Sequence, residues 1–455
     1  MDVDPNTPLI LSVSGMRGLV GHSLTPTVAT RYGAAIGTWL KRTRRTEHPT
    51  VLIGRDSRPS GPMYESAAVA GLAGVGCKVI RVGVLSTPGI AVMVSETGAD
   101  GGLVITASHN PAPWNGMKVL RHDGVAPPPE QVEQLIKDFH DDAFTYVGTE
   151  GMRSITGDDR GVLVHVERVL AAGIDVEGIR AAELSAVVDS TCGAGGAEAA
   201  SLLDALGVTF THLYAEPTGI FPHPPEPTKQ NLTELASVVG KRKADVGFAQ
   251  DTDADRLAIV DERGTYIGEE YTLALCGLHR LKRGDAVAAN LSTSRMIDDI
   301  AAEAGANVAR SAVGEANVAA AMQKYDASLG GEGNGGIIWS AVSRVRDSLV
   351  GMALVLEMLA HRKQRLSEIV ASIPAYAIVK EKLDVPAGDM TNLLDRVAEA
   401  FPDDQVNRLD GVRVDVDRAW VHVRASNTEP ILRLIAEAPT KEAADTLITK
   451  VQSVI

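Results

Sequence analysis

The chain has 455 residues, a net charge of −14, 45% hydrophobic and 22% charged residues. That is more chain than one core organises, and the length alone points to about three or four domains. The composition is that of an ordinary globular protein. The acidic balance speaks against a nucleic-acid-binding surface, which needs clustered positive charge, but leaves room for a local anion site.

The start, Met1-Asp2-Val3-Asp4-Pro5, has no basic region of a signal peptide, and no run of about 20 apolar residues follows anywhere. A cytoplasmic protein with no membrane partner is the expectation. Cys77, Cys192 and Cys276 are far apart, lack metal-ligand spacing and sit among small or apolar residues. They read as buried thiols in a reducing compartment. With 44 Gly and 4% aromatic residues, the chain suits many tight turns between strands and helices.

In chain order, Ser14-Gly-Met-Arg17-Gly18 puts an arginine on a Gly-flanked turn. Short apolar runs then recur, each ending in a Gly- or Asp-rich turn: Val51 to Asp56, Leu103 to Thr106, Ala186 to Ser190 and Val246 to Gln250. Ala-rich stretches of helical period lie between such runs, at Tyr64 to Gly74, Ala197 to Leu206 and Ser294 to Gly305. The alternation predicts βαβ units with mostly parallel sheets, which bind ligands where the strands end. Pro217 to Pro227 reads as an ordered loop, and Ile373 to Ala377 breaks the pattern. After it, Val412 to Val416 and Trp420 to Val423 alternate like antiparallel strands, and a helix from Lys441 closes the chain as a small α+β unit.

Four turns carry chemistry. Thr106-Ala-Ser-His-Asn-Pro111 presents the Ser108 hydroxyl beside His109, and the chain continues to Lys118 on the next strand. A serine that exchanges phosphate needs a base and charge neutralisation, for which His109 and Lys118 are at hand; good turn chemistry alone would also explain the loop. Asp251, Asp253 and Asp255 stand two apart between apolar strands, and such hard oxygen ligands suit Mg²⁺. With Glu262 the spacing nears a calcium hand, but Arg256 occupies the position that needs Gly, and the flanks read as strands. Gly330 to Gly336 carries Glu332 and Asn334, groups that recognise hydroxyls. Arg424, Ser426, Asn427, Thr428 and Arg433 offer hydroxyls, an amide and guanidinium groups to a phosphate. No convincing GxGxxG turn is present, so a bound nucleotide is not indicated.

Together these motifs resemble the α-D-phosphohexomutase family, and the resemblance covers essentially the whole chain. Its landmarks stand in order at Thr106–Pro111, Asp251–Arg256, Gly331–Gly336 and Arg424–Arg433, supported by Ser14–Gly18, Gly54–Arg58, Thr87-Pro88 and Asp189–Gly195. The resemblance implies a heart-shaped α/β enzyme of four domains, three of mixed α/β fold and a small C-terminal α+β domain. It divides the chain at 1–155 with the serine loop, 156–256 with the metal loop, 257–372 with the sugar loop and 373–455 with the phosphate loop.

It further implies that Ser108 is phosphorylated and hands its phosphate to a hexose phosphate, through a hexose 1,6-bisphosphate that also serves as activator. Asp251, Asp253, Asp255 and the phosphorylated Ser108 would hold one Mg²⁺ per chain. Ser108, Lys118, His109, Arg17 and Arg256 would form the catalytic set. Glu332, Asn334, Arg424, Ser426, Asn427, Thr428 and Arg433 would bind substrate. Two departures stand out. Thr252 replaces a usual Gly, and Gly336 stands where most bacterial members have His, so a proton-transfer role for that His cannot be carried over and Lys118 gains weight. The variant loop resembles the archaeal-type phosphoglucosamine and phosphoglucose/phosphomannose mutases, which favours glucosamine phosphate over glucose or mannose phosphate. A metal-dependent phosphatase and a non-catalytic sugar-phosphate binder are the competing readings. No oligomeric state follows from the sequence.

Overall fold

The structure is a computed structural model that describes residues 7–385, 390–402, 405–425 and 431–455. The chain forms two compact units, one of residues 1–279 with 334–370 and one of residues 280–333 with 371–455. Ser426, Asn427 and Thr428 lie outside the described residues.

The first unit holds two sheets. One has seven strands: Ile10–Ser12, Gly15–Leu19, Trp114–Arg121, Gly101–Ile105, Thr50–Arg55, Lys78–Val84 and Ile155–Gly157, in that spatial order. The pairs formed by Thr50–Arg55 and Lys78–Val84 are parallel, while the strands from Ile10 to Ile105 pair antiparallel. The expectation of mostly parallel sheets is corrected here: the sheet is mixed, because the serine loop joins two neighbouring strands directly and no helix crosses over. The centre is buried on both faces, which explains its unbroken apolar runs. Val51, Ile53, Leu103 and Ile105 pack into one core with the helices Pro26–Arg44 and Gly61–Gly74. Leu52 and Val104 face the other, against the helix Thr87–Thr97.

Arg17 lies within the strand Gly15–Leu19, not on the turn expected from sequence. The hairpin turns at Gly15, whose φ is +98°; a Cβ there would come within 2.2 Å of the Met117 carbonyl.

The second sheet runs Leu257–Asp261, Val246–Gln250, Ser185–Asp189 and Thr209–Leu213, with the first pair antiparallel and the others parallel. The expected helices appear as Gly61–Gly74, Gly196–Ala205 and Met296–Ala304. The stretch Pro217 to Pro227 is a loop, stacked through Phe221 on Arg58.

In the second unit Ala286–Asn290 pairs in parallel with Asn307–Ser311 and Leu329–Glu332. Gly330 and Gly331 are therefore strand residues, not a flexible turn. The remaining sheet is antiparallel, in the order Ala377–Asp384, Ile431–Ala438, Ala419–Ala425, Val412–Val416 and Val406–Asn407. Its core is closed by the helices Met390–Glu399 and Lys441–Gln452. No disulfide joins the cysteines; Cys77 and Cys276 are buried, while Cys192 is only partly so, against expectation. Burial pushes the Cys77 thiol up to about 12. Among the described residues no helix is long and apolar enough to cross a membrane.

Candidate active site

Ser108 sits on the loop between the strands Gly101–Ile105 and Trp114–Arg121, with Val104 opposite Lys118. Its φ is +49°, a left-handed conformation uncommon for a residue with a side chain. The surroundings impose it. Arg58, 1% exposed, donates to the carbonyls of Ser108 and Asn110 at 2.6 Å, of Pro111 at 3.0 Å and of Trp114 at 3.1 Å. Asp56 holds the Arg58 guanidinium at 3.1 Å and accepts from Thr106 Oγ1 at 2.7 Å. Thr106 Oγ1 in turn accepts the Ser108 N–H at 2.9 Å, and Thr252 Oγ1 donates to the Ser108 carbonyl at 2.7 Å. Arg58, Thr106 and Thr252, backed by Asp56, thus grip the loop through its backbone and leave the Ser108 hydroxyl to the site.

That hydroxyl donates to Asp251 Oδ2 at 2.7 Å. Asp251, Asp253 and Asp255 are fully buried and offer oxygens that lie within 4.8 Å of one another. Asp251 Oδ1 accepts the Arg256 N–H at 3.2 Å. Asp253 Oδ2 accepts from Thr87 Oγ1 and Lys118 Nζ, both at 2.7 Å. Asp255 Oδ2 accepts from Lys118 at 3.2 Å and from Arg346 at 2.6 Å.

The other oxygens, Asp253 Oδ1 and Asp255 Oδ1, are buried without a hydrogen-bond partner. Burying a charged acceptor unpaired is costly. Two such oxygens beside a third carboxylate are a donor set that fits a hard divalent cation. The electrostatics agree: burial, then Asp253 and Asp255, raise Asp251 well above the usual carboxylate range. Burial also acts to raise Asp255, but Arg346, Lys118 and Arg256 outweigh it and hold Asp255 below that range. The strand flanks bear out the rejection of a calcium hand, and Glu262 is engaged instead by the Ser367 backbone and hydroxyl.

Cations complete the site. Arg256 Nε is 3.9 Å from Asp255 Oδ1 and buried without a hydrogen-bond partner. Arg17 Nη1 donates to Asn110 Oδ1 at 3.3 Å, and burial lowers its pKa against the pull of Asp253. His109 Nδ1 lies 3.3 Å from Ser108 Oγ. Burial, then Arg256 and Arg17, push this imidazole down to about 2, so it is neutral near pH 7.

The other expected substrate groups each have partners of their own. Glu332 Oε1 accepts from the Asn290 amide at 2.8 Å and the Gly314 N–H at 3.1 Å. Asn334 Oδ1 accepts the Gly336 N–H at 3.2 Å and so stabilises a tight turn. Arg424 and Arg433 are direct cross-strand partners. Arg424 is buried with Nε 3.2 Å from Asp410 Oδ2, whereas Arg433 is exposed.

Sequence reasoning missed Arg346, 91 positions from Asp255, and gave Arg58 no role. It also missed His165, whose Nδ1 meets Glu198 Oε1 at 2.6 Å and whose Nε2 meets Asp347 Oδ2 at 2.8 Å, all fully buried or nearly so. Glu198 holds Ser86, next to Thr87, and Asp347 adjoins Arg346. The cluster thereby braces two residues that touch the carboxylate loop.

Burial works against the His165 charge, but Asp347 and Glu198 prevail and raise its pKa from 6.5 to about 10. The folded state therefore keeps a proton that the unfolded chain releases. This stabilisation is complete below pH 6.5 and is lost as pH rises toward 10. Unfolding midpoints should fall across that window, and the fall should vanish in His165→Ala. That variant should itself lose about 3–5 kcal/mol, since it strands two buried carboxylates. A pH profile of the same slope in the variant would refute the assignment.

A serine hydroxyl on a loop gripped by its backbone, a buried carboxylate triad suited to a divalent cation and nearby guanidinium groups are the groups that phosphoryl transfer requires. The phosphoglucomutase/phosphomannomutase family models match along the chain: alpha/beta/alpha domain I at residues 9–146, domain II at 164–264, domain III at 269–376 and the C-terminal domain at 381–453. A phosphoglucomutase/phosphomannomutase of Thermococcus kodakarensis is 37% identical over 440 residues, covering 94% of each chain. A protein named probable phosphoglucosamine mutase from Methanopyrus kandleri is 37% identical over 439 residues, covering 95% of this chain and 94% of that one. A crystal structure of a phosphoglucomutase/phosphomannomutase family protein from Burkholderia thailandensis superposes with a TM-score of 0.86 at 28% identity, covering 98% of this chain and 96% of that one. The chain belongs to the phosphoglucomutase/phosphomannomutase family and is a phosphohexomutase, an intramolecular phosphotransferase.

Proposed function

We propose that the protein interconverts glucosamine 6-phosphate and glucosamine 1-phosphate through a phosphorylated Ser108 and a hexose bisphosphate. The carrying observation is the Ser108 hydroxyl, buried and 2.7 Å from Asp251 on a loop held by its backbone. In the forward step the Ser108 Oγ–P bond breaks and a bond from phosphorus to a sugar hydroxyl oxygen forms. The sugar hydroxyl gives up its proton as the new bond forms, and the departing Ser108 oxygen takes up a proton as its bond to phosphorus breaks, so that one proton moves from the sugar to the serine. In the return step the other phosphate passes back to Ser108. The Lys118 ammonium beside Asp253 and Asp255 serves the proton, and His109, neutral and 3.3 Å from the Oγ, is placed to hydrogen-bond it.

Asp251, Asp253 and Asp255 would hold Mg²⁺, joined by an oxygen of phosphorylated Ser108. Bound there, the ion supplies neutralisation of charge on the transferring phosphoryl group. Arg17 and Arg256 orient the phosphate oxygens, and the buried Arg256 Nε without a partner supports this. Glu332 and Asn334 are assigned to the sugar hydroxyls, and Arg424, Ser426, Asn427, Thr428 and Arg433 to the phosphate that is not reacting.

Glucosamine phosphate is favoured over glucose and mannose phosphates by the Gly331–Gly336 variant and by the name of the Methanopyrus relative. The test is incubation of glucosamine 6-phosphate with Mg²⁺ and a trace of bisphosphate. The 1-phosphate should form without inorganic phosphate. Release of phosphate would favour a phosphatase, and a higher kcat/KM on glucose or mannose phosphate would reassign the substrate.

Arg424→Ala provides a separate check. A sugar that reverses end for end must present either phosphate to one cradle, so the loss should strike both directions alike. Removing one charge-assisted contact costs about 1.5–3 kcal/mol, roughly 10- to 150-fold in kcat/KM. Impairment in one direction only would mean that Arg424 reads sugar geometry.

A further inference from the structure

Gly336 ends the sugar loop, where a Cβ would lie 2.1 Å from Arg346 Cδ and 2.8 Å from its Cγ. No other severe clash exists: the third neighbour, Asn334 Oδ1, is at 3.1 Å, and the Gly336 φ is not positive. The arginine side chain thus lies across the missing side chain and ends on Asp255 Oδ2 at 2.6 Å. Its backbone is fixed from the next residues. The Asp347 N–H donates to the Ile337 carbonyl at 2.8 Å, and the Ser348 N–H donates to the Ala254 carbonyl, inside the carboxylate loop, at 3.2 Å. Asp347 also caps the helix Ser348–Arg362 and meets His165. Arg346 is therefore a buried guanidinium delivered to the carboxylate loop by a rigid segment, along a path that is open because residue 336 has no side chain.

We propose that Gly336 and Arg346 act as one device, in which the missing side chain at 336 lets Arg346 fix Asp255 Oδ2 and so turn Asp255 Oδ1 toward the cation position. This rests on the reading of the aspartates as the Mg²⁺ site. Arg346 is a positioning residue: a guanidinium does not exchange protons near neutral pH, so it does not take over acid–base work at position 336. Its planar fork suits the orientation of a carboxylate. Partners that orient a metal ligand typically contribute about 10- to 100-fold in metal affinity.

The experiment is a double-mutant cycle on the full chain with Gly336→Ala, Arg346→Ala and the pair. Mn²⁺ binding is measured directly by paramagnetic resonance, and unfolding temperature is measured in EDTA. Each single variant should weaken Mn²⁺ binding about 10- to 100-fold, while the pair should match Arg346→Ala alone. Gly336→Ala should lower the unfolding temperature in the parent and cost almost nothing once Arg346 is truncated. Arg346→Lys, which keeps a charge within reach, should regain part of the affinity.

Additive losses in the pair would overturn the coupling, because Gly336 would then matter for reasons other than Arg346. Unchanged Mn²⁺ affinity in folded Arg346→Ala would overturn the positioning role while leaving the metal site standing. Absence of Mn²⁺ binding by the parent chain would overturn the metal reading itself, and this proposal with it.

Discussion

Ser108→Ala is expected to remove mutase turnover by at least about 10⁴-fold, the scale on which loss of a covalent nucleophile is felt, and to remove the phosphoprotein. It should do so without unfolding the chain. The grip on the loop uses the Ser108 N–H and carbonyl and the neighbouring carbonyls, through Thr106, Thr252 and Arg58. None of these bonds needs the hydroxyl. Alanine and serine carry a Cβ alike, so the cost of a φ of +49° is common to both. What is lost are the hydroxyl's hydrogen bonds to Asp251 and His109. Treatment with hexose bisphosphate followed by intact-mass measurement should add one phosphate to the parent and none to the variant, with closely similar unfolding temperatures. A phosphate that still attaches to the variant, with turnover retained, would place the nucleophile elsewhere.

The parts of this molecule visible in its sequence are those whose chemistry is local. The apolar runs at 51–56, 103–106 and 246–250 are strands because they are buried on both faces. The alternating three aspartates needed only their own spacing and two flanking strands to converge. The hairpin of Gly15–Leu19 was hidden because its glycines suggest a turn, whereas Gly15 is needed for close approach to Met117. Arg58 and Arg346 were invisible as partners: the first acts on carbonyls about 50 residues away and the second on a carboxylate 91 residues away. The His165 cluster carries no motif at all, since its partners are 33 and 182 residues distant. Pairings of that kind are set by the packing of sheets and helices, and no local pattern of residues encodes them.

Asp253→Asn should lower kcat by on the order of 10²–10³, equivalent to about 3–4 kcal/mol of charge stabilisation, and should raise the Mg²⁺ concentration needed for half activity. The substitution is nearly isosteric. Asp253 Oδ2 accepts from Thr87 and Lys118, and an amide oxygen turned to the same side accepts from both. The nitrogen then takes the place of Oδ1, the buried oxygen that has no hydrogen-bond partner in the protein. It brings protons where a cation should sit and cannot be a ligand. Loss of the charge also leaves Lys118 with Asp255 as its remaining carboxylate partner in this group. If Asp253 instead served as a proton carrier, the variant would lose its rate at every Mg²⁺ concentration, with the half-activating concentration unchanged. Titration of both proteins with Mg²⁺ after complete chelation separates the two. An unchanged metal requirement in the variant, or a parent that keeps its rate in EDTA, means the aspartates do not hold the ion.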